Sequence, residues 1–321
     1  MRARPPMPNE LQSQPFDRRA FLRRMTRGLF GVIGAGAIGF SFWDRKGPEG
    51  ESQSSAGVLP DFSIPSLAGR MSVAHGDHRG RMVREAVGAL GGMAAFIRPG
   101  DRVLLKVNAA FAAPPAIGAT SHPELVAQVV RMCREAGAAK VLVTDNPIND
   151  PGSCFTLSGI SAAAHAEGAE IVLPDQDLFE PYSIPGATLI RHWPVLTAPL
   201  RRVDKVIGLA PVKDHHRSGA SMTIKNWYGL LGGRRNIFHQ QIHTIISELA
   251  LLIKPTLVIL DGTLSMMHNG PTGGSFDDLK ATRTLIAGTD PVAVDTRGAE
   301  LLGKTIEDLP HLRMAGDLLS R

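Results

Sequence analysis

Short apolar runs that end in polar residues alternate along this chain with stretches of helical spacing. Residues 71–75 predict a first strand, and Met82, Val83, Ala86 and Leu90 recur at helical intervals over 79–90, where Gly91-Gly92 stops the helix. The run VLLKVN at 103–108 predicts a strand with Lys106 and Asn108 on one face, because side chains two apart in a strand point the same way. After a long loop, Thr120 or Ser121 can cap a helix that runs from about 123 to 136 and ends at Gly137. Strands at 141–146 and 169–173 flank a helix at 158–167. Residues 174–202, with Pro181, Pro185, Pro194 and Pro199, predict an antiparallel excursion. The pattern then resumes: strands at 206–210, 256–260 and 284–287, a helix at 238–253, and a last helix opened by Asp290-Pro291. This alternation predicts an α/β fold, a mostly parallel sheet flanked by helices in a single large domain over residues 70–321.

Four of these strands deliver polar groups at their ends: Lys106 with Asn108, Asp145 with Asn146, Lys213 to His216, and Asp261. In an open parallel sheet such ends meet along the carboxyl edge, where ligands bind. The densest stretch is 203–229, which adds Lys225 and Asn226 to Lys213, His215 and His216, and so predicts one wall of an anion or metal site. A polar loop after a strand is also an ordinary solvated connection, and the repetition across four strands is what favours a site. His239 and His243 lie four apart on the predicted helix, a spacing that puts both rings on one face and suits a divalent metal as well as a half-exposed helix surface. The loop at 270–274, which includes Gly273, can present backbone amides to an anion, although no P-loop or dinucleotide fingerprint accompanies it.

Composition narrows the picture. Seven of the 35 basic residues precede residue 28, against two of the 30 acidic ones, so the net charge of +5 belongs to the leader and the rest is formally neutral. Nucleic-acid binding by the folded part gains nothing from that balance. Two cysteines, Cys133 and Cys154, are too few for an iron–sulfur cluster held by this chain alone. Asp17-Arg18-Arg19-Ala20-Phe21-Leu22-Arg23, followed by an uncharged Gly-rich stretch, resembles a twin-arginine export signal. Residues 1–43 are therefore expected to be a signal or anchor, and 44–69 a linker. The expected location is periplasmic or extracytoplasmic, with membrane contact only through the leader if it stays uncleaved.

The pieces VLLKVN (103–108), TSHPELV (120–126), KVLVTDN (140–146), Lys213 with His215 or His216, TIKNWYGLLGG (223–233), His239, Asp261-Gly262 with NGPTGG (269–274), and AGTDPVAVD (287–295) together resemble the family known as domain of unknown function 362. The resemblance covers roughly residues 70–315 and implies an α/β fold. Lys106, Asn108, His122, Lys213, His215, Lys225, Asn226, Asp261 and Asp295 match that family's polar motif positions. Many relatives carry a ferredoxin-like segment; this chain has none.

The expectation is thus a metal-assisted enzyme acting on a small anionic substrate. Lys106, Lys213, His215, Lys225 and Asp261 are the catalytic candidates, and Asn108, His122, Asn226, Gly273 and Asp295 the substrate-binding ones. His215 and His239 are the candidate ligands for a divalent metal. The alternative is a periplasmic metal- or anion-binding protein, or an accessory to a redox partner, without catalysis.

Overall fold

A computed structural model of the protein describes residues 58–320. The signal expected over 1–43, and the linker up to residue 57, lie outside these residues. Residues 58–69 pack: Leu59, Phe62 and Leu67 are buried, and Thr256 Oγ1 donates to the Phe62 carbonyl at 2.8 Å.

The main sheet has β1 (Met71–His75), β2 (Arg102–Lys106), β3 (Lys140–Thr144), β4 (Glu170–Val172), β7 (Lys205–His215), β9 (Leu257–Met266) and β11 (Thr284–Gly288), in the order β1-β11-β9-β7-β2-β3-β4. The run from β9 to β4 is parallel throughout. β11 is antiparallel to β9, and β1 to β11, so the sheet is mostly parallel with an antiparallel margin. β8 (Gly219–Ser221) and β10 (Leu279–Lys280) pair with the extended ends of β7 and β9. The proline-rich excursion forms the separate hairpin β5 (Phe179–Tyr182) and β6 (Trp193–Leu196).

Apolar residues at alternate strand positions feed two cores, one per face. Val103, Leu105, Ile207 and Ile259 pack with α1 (Arg79–Ala89) and α2 (Pro123–Glu135), together with α3 (Pro151–Leu157) and α4 (Ile160–Ala166). Leu104, Val206, Val258 and Leu260 pack on the other side with α5 (Thr223–Asn226), α6 (Ile242–Leu252), α7 (Pro291–Leu301) and α8 (Pro310–Leu319). Asp290 caps α7 as expected, accepting from the Val292 and Ala293 amides at 2.8 and 3.2 Å.

Two expectations shift. The helix expected at 158–167 is α4, and an unexpected helix, α3, precedes it, the two separated at Gly159, which takes a left-handed φ of 72°. The helix at 238–253 starts later, at Ile242, behind a 3₁₀ segment at Arg235–Gln241. Cys154 is buried in α3, and both cysteines are free thiols. Among the described residues, no helix is long and apolar enough to cross a membrane.

Candidate anion site

The carboxyl ends of β2, β3 and β7 meet α5 on the α5–α8 face, and their polar side chains interlock. Lys106 sits 2.7 Å from Asp145 Oδ1, both side chains almost wholly buried, and also donates to the Val107 carbonyl at 2.6 Å and Asn226 Oδ1 at 3.3 Å. The second Asp145 oxygen accepts from the Ala109 amide at 2.6 Å. Asn226, at the end of α5, donates to the carbonyls of Lys106 and Leu209 at 3.2 and 3.1 Å and accepts from Asn108 Nδ2 at 3.2 Å. Asn108 turns its oxygen to Lys213 Nζ at 3.5 Å, and Lys213 donates to the Ala119 carbonyl at 2.6 Å. A Cβ at Gly229 would fall 1.9 Å from Asp145 Oδ1 and 2.8 Å from Lys106 Nζ, so only glycine lets that backbone pass the ion pair.

Asn108, Asp145, Lys213, Asn226 and Gly229 line a cavity of about 520 Å³ with Lys225, Arg235, Tyr228, His215, His216 and His239; Lys106 itself is not in the lining. Three side-chain cations face it, Lys213, Lys225 and Arg235, and the carboxylate in its lining, Asp145, is already matched by Lys106. Arg235 spends its guanidinium on the carbonyls of Tyr228, Leu231, Asn146 and Pro147 at 2.7 to 3.1 Å. Lys225 is half-buried and has no hydrogen-bond acceptor among the described residues; its ammonium lies 5.2 Å from the Tyr228 ring centre. Burial first, and the repulsion of Lys225 next, push Lys213 down to about 7, with Asp145 pulling the other way. Burial and then Arg235 push Lys225 down to about 8. Burial also lowers Lys106, with Asp145 pulling the other way.

The imidazoles stack along one wall, with centroids 5.1 Å apart for His215–His216 and 6.1 Å for His215–His239. His215 Nδ1 accepts from the amides of Arg217 and Ser218, both at 3.2 Å, which leaves the proton of the neutral ring on Nε2. Burial, followed by the charge of Lys225, lowers His215 to about 2, so it stays neutral. His239 Nδ1 lies 3.2 Å from the Asn236 carbonyl and 3.3 Å from the Tyr228 hydroxyl, which itself donates to the Arg235 carbonyl. Among the described residues, no three His, Cys, Asp or Glu side chains are grouped to hold a metal ion. His215 and His239, the candidate pair, stand without a third such side chain among the described residues.

Of the residues singled out in the sequence, Lys106, Asn108, Lys213, His215, Lys225, Asn226 and His239 come together here. Asp261 does not. Its place in the β9 alternation turns it to the α1–α2 face, where Oδ2 meets Arg79 Nε at 2.7 Å and Oδ1 accepts from the Thr263 amide at 2.9 Å. His122 belongs to that side as well: its Nδ1 accepts from the Glu124 amide at 3.3 Å to cap α2, and burial, with Arg79 next, lowers its pKa. Asp295 is buried against α5, taking the Thr223 amide and hydroxyl at 2.8 and 2.5 Å and the Ile224 amide at 2.9 Å. It orients the helix that carries Lys225 and Asn226 rather than facing the cavity. Gly273 adopts φ 63° against Met266, next to but not in the lining, where Asn269, Gly270, Pro271 and Thr272 stand instead. His243 faces away from His239, with its Nδ1 3.2 Å from that of His311, because the α-helix begins only after His239. Arg235 and Tyr228 were not singled out. Tyr228, one of two tyrosines in the chain, follows Lys225-Asn226-Trp227 directly, and that adjacency was the available signal.

The family described as Domain of unknown function (DUF362) matches residues 103–300, which contain every residue of the cavity named above. A thylakoid-associated protein of Synechocystis sp. is 29% identical over 66% of this chain and 66% of its own length. Among solved structures, the lactate racemase apoprotein of Thermoanaerobacterium thermosaccharolyticum aligns at 13% identity and a TM-score of 0.40, covering 75% of this chain and 58% of that one. A protein from Thermotoga maritima aligns at 12% identity and a TM-score of 0.39, covering 72% and 60%. The chain thus spans less than two thirds of each solved structure's length.

Proposed function

From the premise that the chain belongs to the DUF362 family, we propose that it binds a small organic anion in the cavity and moves a proton on it, with Lys213 as the base. The observation that carries this reading is the uncompensated positive charge: Lys213, Lys225 and Arg235 share one cavity whose carboxylate is already paired. Buried like charges are expensive unless an opposite charge joins them, and a ligand anion supplies it. Lys225, with its three N–H groups free of protein acceptors among the described residues, is the anchor.

An amine that titrates near 7 is matched to proton transfer at neutral pH. In the proposed step the free amine of Lys213 takes a proton from the anion's acidic position and becomes an ammonium. The charge left on the substrate is met by Lys225 and by the Nε2–H of neutral His215. Return of a proton from that ammonium, whose hydrogens exchange with water, completes the cycle without a co-reactant.

The test is exchange of substrate C–H for deuterium in D₂O, followed by NMR across a panel of hydroxy acids and other small carboxylates. Exchange that falls about a hundredfold or more in Lys213→Met supports the reading. Tight binding without exchange makes the protein a carrier; no carboxylate binding at all contradicts the proposal.

We also propose export through the paired arginines Arg18-Arg19, with the α/β domain acting outside the cytoplasm. The thylakoid association of the Synechocystis relative is in keeping with a site of action near a membrane. Replacing both arginines with lysine should trap the protein in the cytoplasm on cell fractionation; unchanged fractionation would contradict export.

A further inference from the structure

The cavity does not end at Tyr228. A second, larger space of about 820 Å³ opens beyond it, and the two share Asn146, Ile148, Tyr228, Arg235 and His239 in their linings. Their chemistry differs. Lys213 and Lys225 line only the first, whereas most of the second's wall is Phe179 and five prolines, at positions 147, 151, 174, 181 and 194, with Asp175, Gln176 and Asn236 at its polar side.

Two glycines keep that wall in place. A Cβ at Gly232 would stand 2.7 Å from the Phe179 ring, and one at Gly233, where φ is 57°, 3.1 Å from Pro194. The Gly232 backbone is fixed on both sides, its amide donating to the Pro194 carbonyl at 2.8 Å and its carbonyl accepting from Trp193 Nε1 at 3.1 Å. Prolines have fixed φ and no amide hydrogen to satisfy, so the proline wall is stiff and needs little ordering when a ligand enters. Ile148, 67% exposed, sits at the junction of the two spaces.

We infer that the ligand is an anion carried on an elongated apolar body, with the charged head against Lys213 and Lys225 and the body passing Tyr228 and Ile148 into the proline-walled chamber. This rests on the anion reading above and adds the substrate class. A two- or three-carbon acid would fill the first space and leave the second to water. A monocarboxylate with an alkyl or aryl tail fills both.

The experiment is calorimetric titration of the full-length protein with acetate, hexanoate, octanoate and 3-phenylpropanoate. Each methylene buried in the second chamber is worth about fourfold in affinity, so hexanoate and octanoate should bind at least roughly tenfold tighter than acetate. The ratio of octanoate to phenylpropanoate affinity then tells a linear tail from a flat one. Phe179→Ala should weaken the tailed ligands about fivefold or more and leave acetate unchanged. Phe179→Leu, which keeps an apolar residue in the hairpin, should give a smaller loss in the same direction, and a matching thermal melt shows that the hairpin is intact. Equal affinities for acetate and octanoate, or tailed ligands indifferent to Phe179→Ala, would overturn the inference while leaving the anion reading standing. Loss of all four ligands in the Lys213→Met, Lys225→Met double variant is the separate check on that reading: if octanoate still binds this variant as tightly, it is the charged head, not the tail, that has been misplaced.

Discussion

Two buried ion pairs lie near the carboxyl edge of the same sheet, and they do different things. Lys106–Asp145, on the α5–α8 face, is surrounded by further cations and opens onto a cavity. Arg79–Asp261, on the α1–α2 face, holds a strand to a helix, and its carboxylate's second oxygen is taken by the Thr263 amide. From strand ends alone the two look alike. What separates them is surplus: beside Lys106–Asp145 three further cations line the cavity, whereas Arg79 and Asp261 match each other. A site is marked by the unmatched charge beside open space, not by the presence of polar residues at a strand tip.

The sharpest way to break this contrast is to unmake each pair. Lys106→Met and Arg79→Met both leave a buried carboxylate without its partner and should each lower unfolding free energy by about 3–5 kcal/mol in denaturant titrations. Only Lys106→Met should also weaken carboxylate binding, because the stranded Asp145 then neutralises the remaining cations of the cavity. If Arg79→Met weakened binding equally, the two faces would be one site.

Asp295→Asn replaces an acceptor that serves three donors with an amide whose N–H₂ faces one of them, so stability should drop by about 2 kcal/mol, with binding affected only through the loosened α5. Lys225→Met removes a cation that the fold does not need. Carboxylate affinity should fall tenfold or more, while stability at pH 7 holds or rises by about 1 kcal/mol, a figure discounted for the residue's partial exposure. The sign follows from the lowered pKa. The folded state binds fewer protons than the unfolded one between about pH 8 and the ordinary lysine value, so the charge weighs against folding most at and below pH 8, and that penalty fades as the pH rises toward 10.5. A loss of stability in Lys225→Met would mean that the ammonium has a protein partner after all.

Smaller, but the easiest to read, is the pH dependence of binding. Lys213 and Lys225 carry charge below about 7 and 8 respectively, so affinity for a carboxylate should be flat below pH 6 and decline with increasing steepness from pH 7 upward, measured by calorimetry. A profile that is level to pH 10 would remove both lysines from the anion's contacts.

How much of this could be read from the chain depends on range. Period and capping are local, so the strands at 103–108 and 141–146, the helix start at Pro123 and the cap at Asp290 were legible, within a residue or two, although His122 rather than Thr120 or Ser121 caps α2. So were seven of the residues that come together at the site, because a mostly parallel sheet forces strand ends together. Asp261 was not, because which face a strand-end residue takes is set by register and by the helix it meets. β9 runs straight on through Gly262 to Met266 and leaves Asp261 to Arg79. Arg235 was missed for a related reason. Its worth lies in four backbone carbonyls, two from the preceding turn and two from the distant loop after β3, and no spacing in the sequence records that.

The most direct measurement is the titration of the lysine ammonium groups themselves, by NMR of protein labelled at lysine, in the absence and presence of saturating octanoate. Two resonances should titrate near 7 and 8, vanish in turn in Lys213→Met and Lys225→Met, and move to higher pH when the carboxylate binds. All lysines titrating at their ordinary value, unmoved by the ligand, would contradict the unmatched charge on which the site depends.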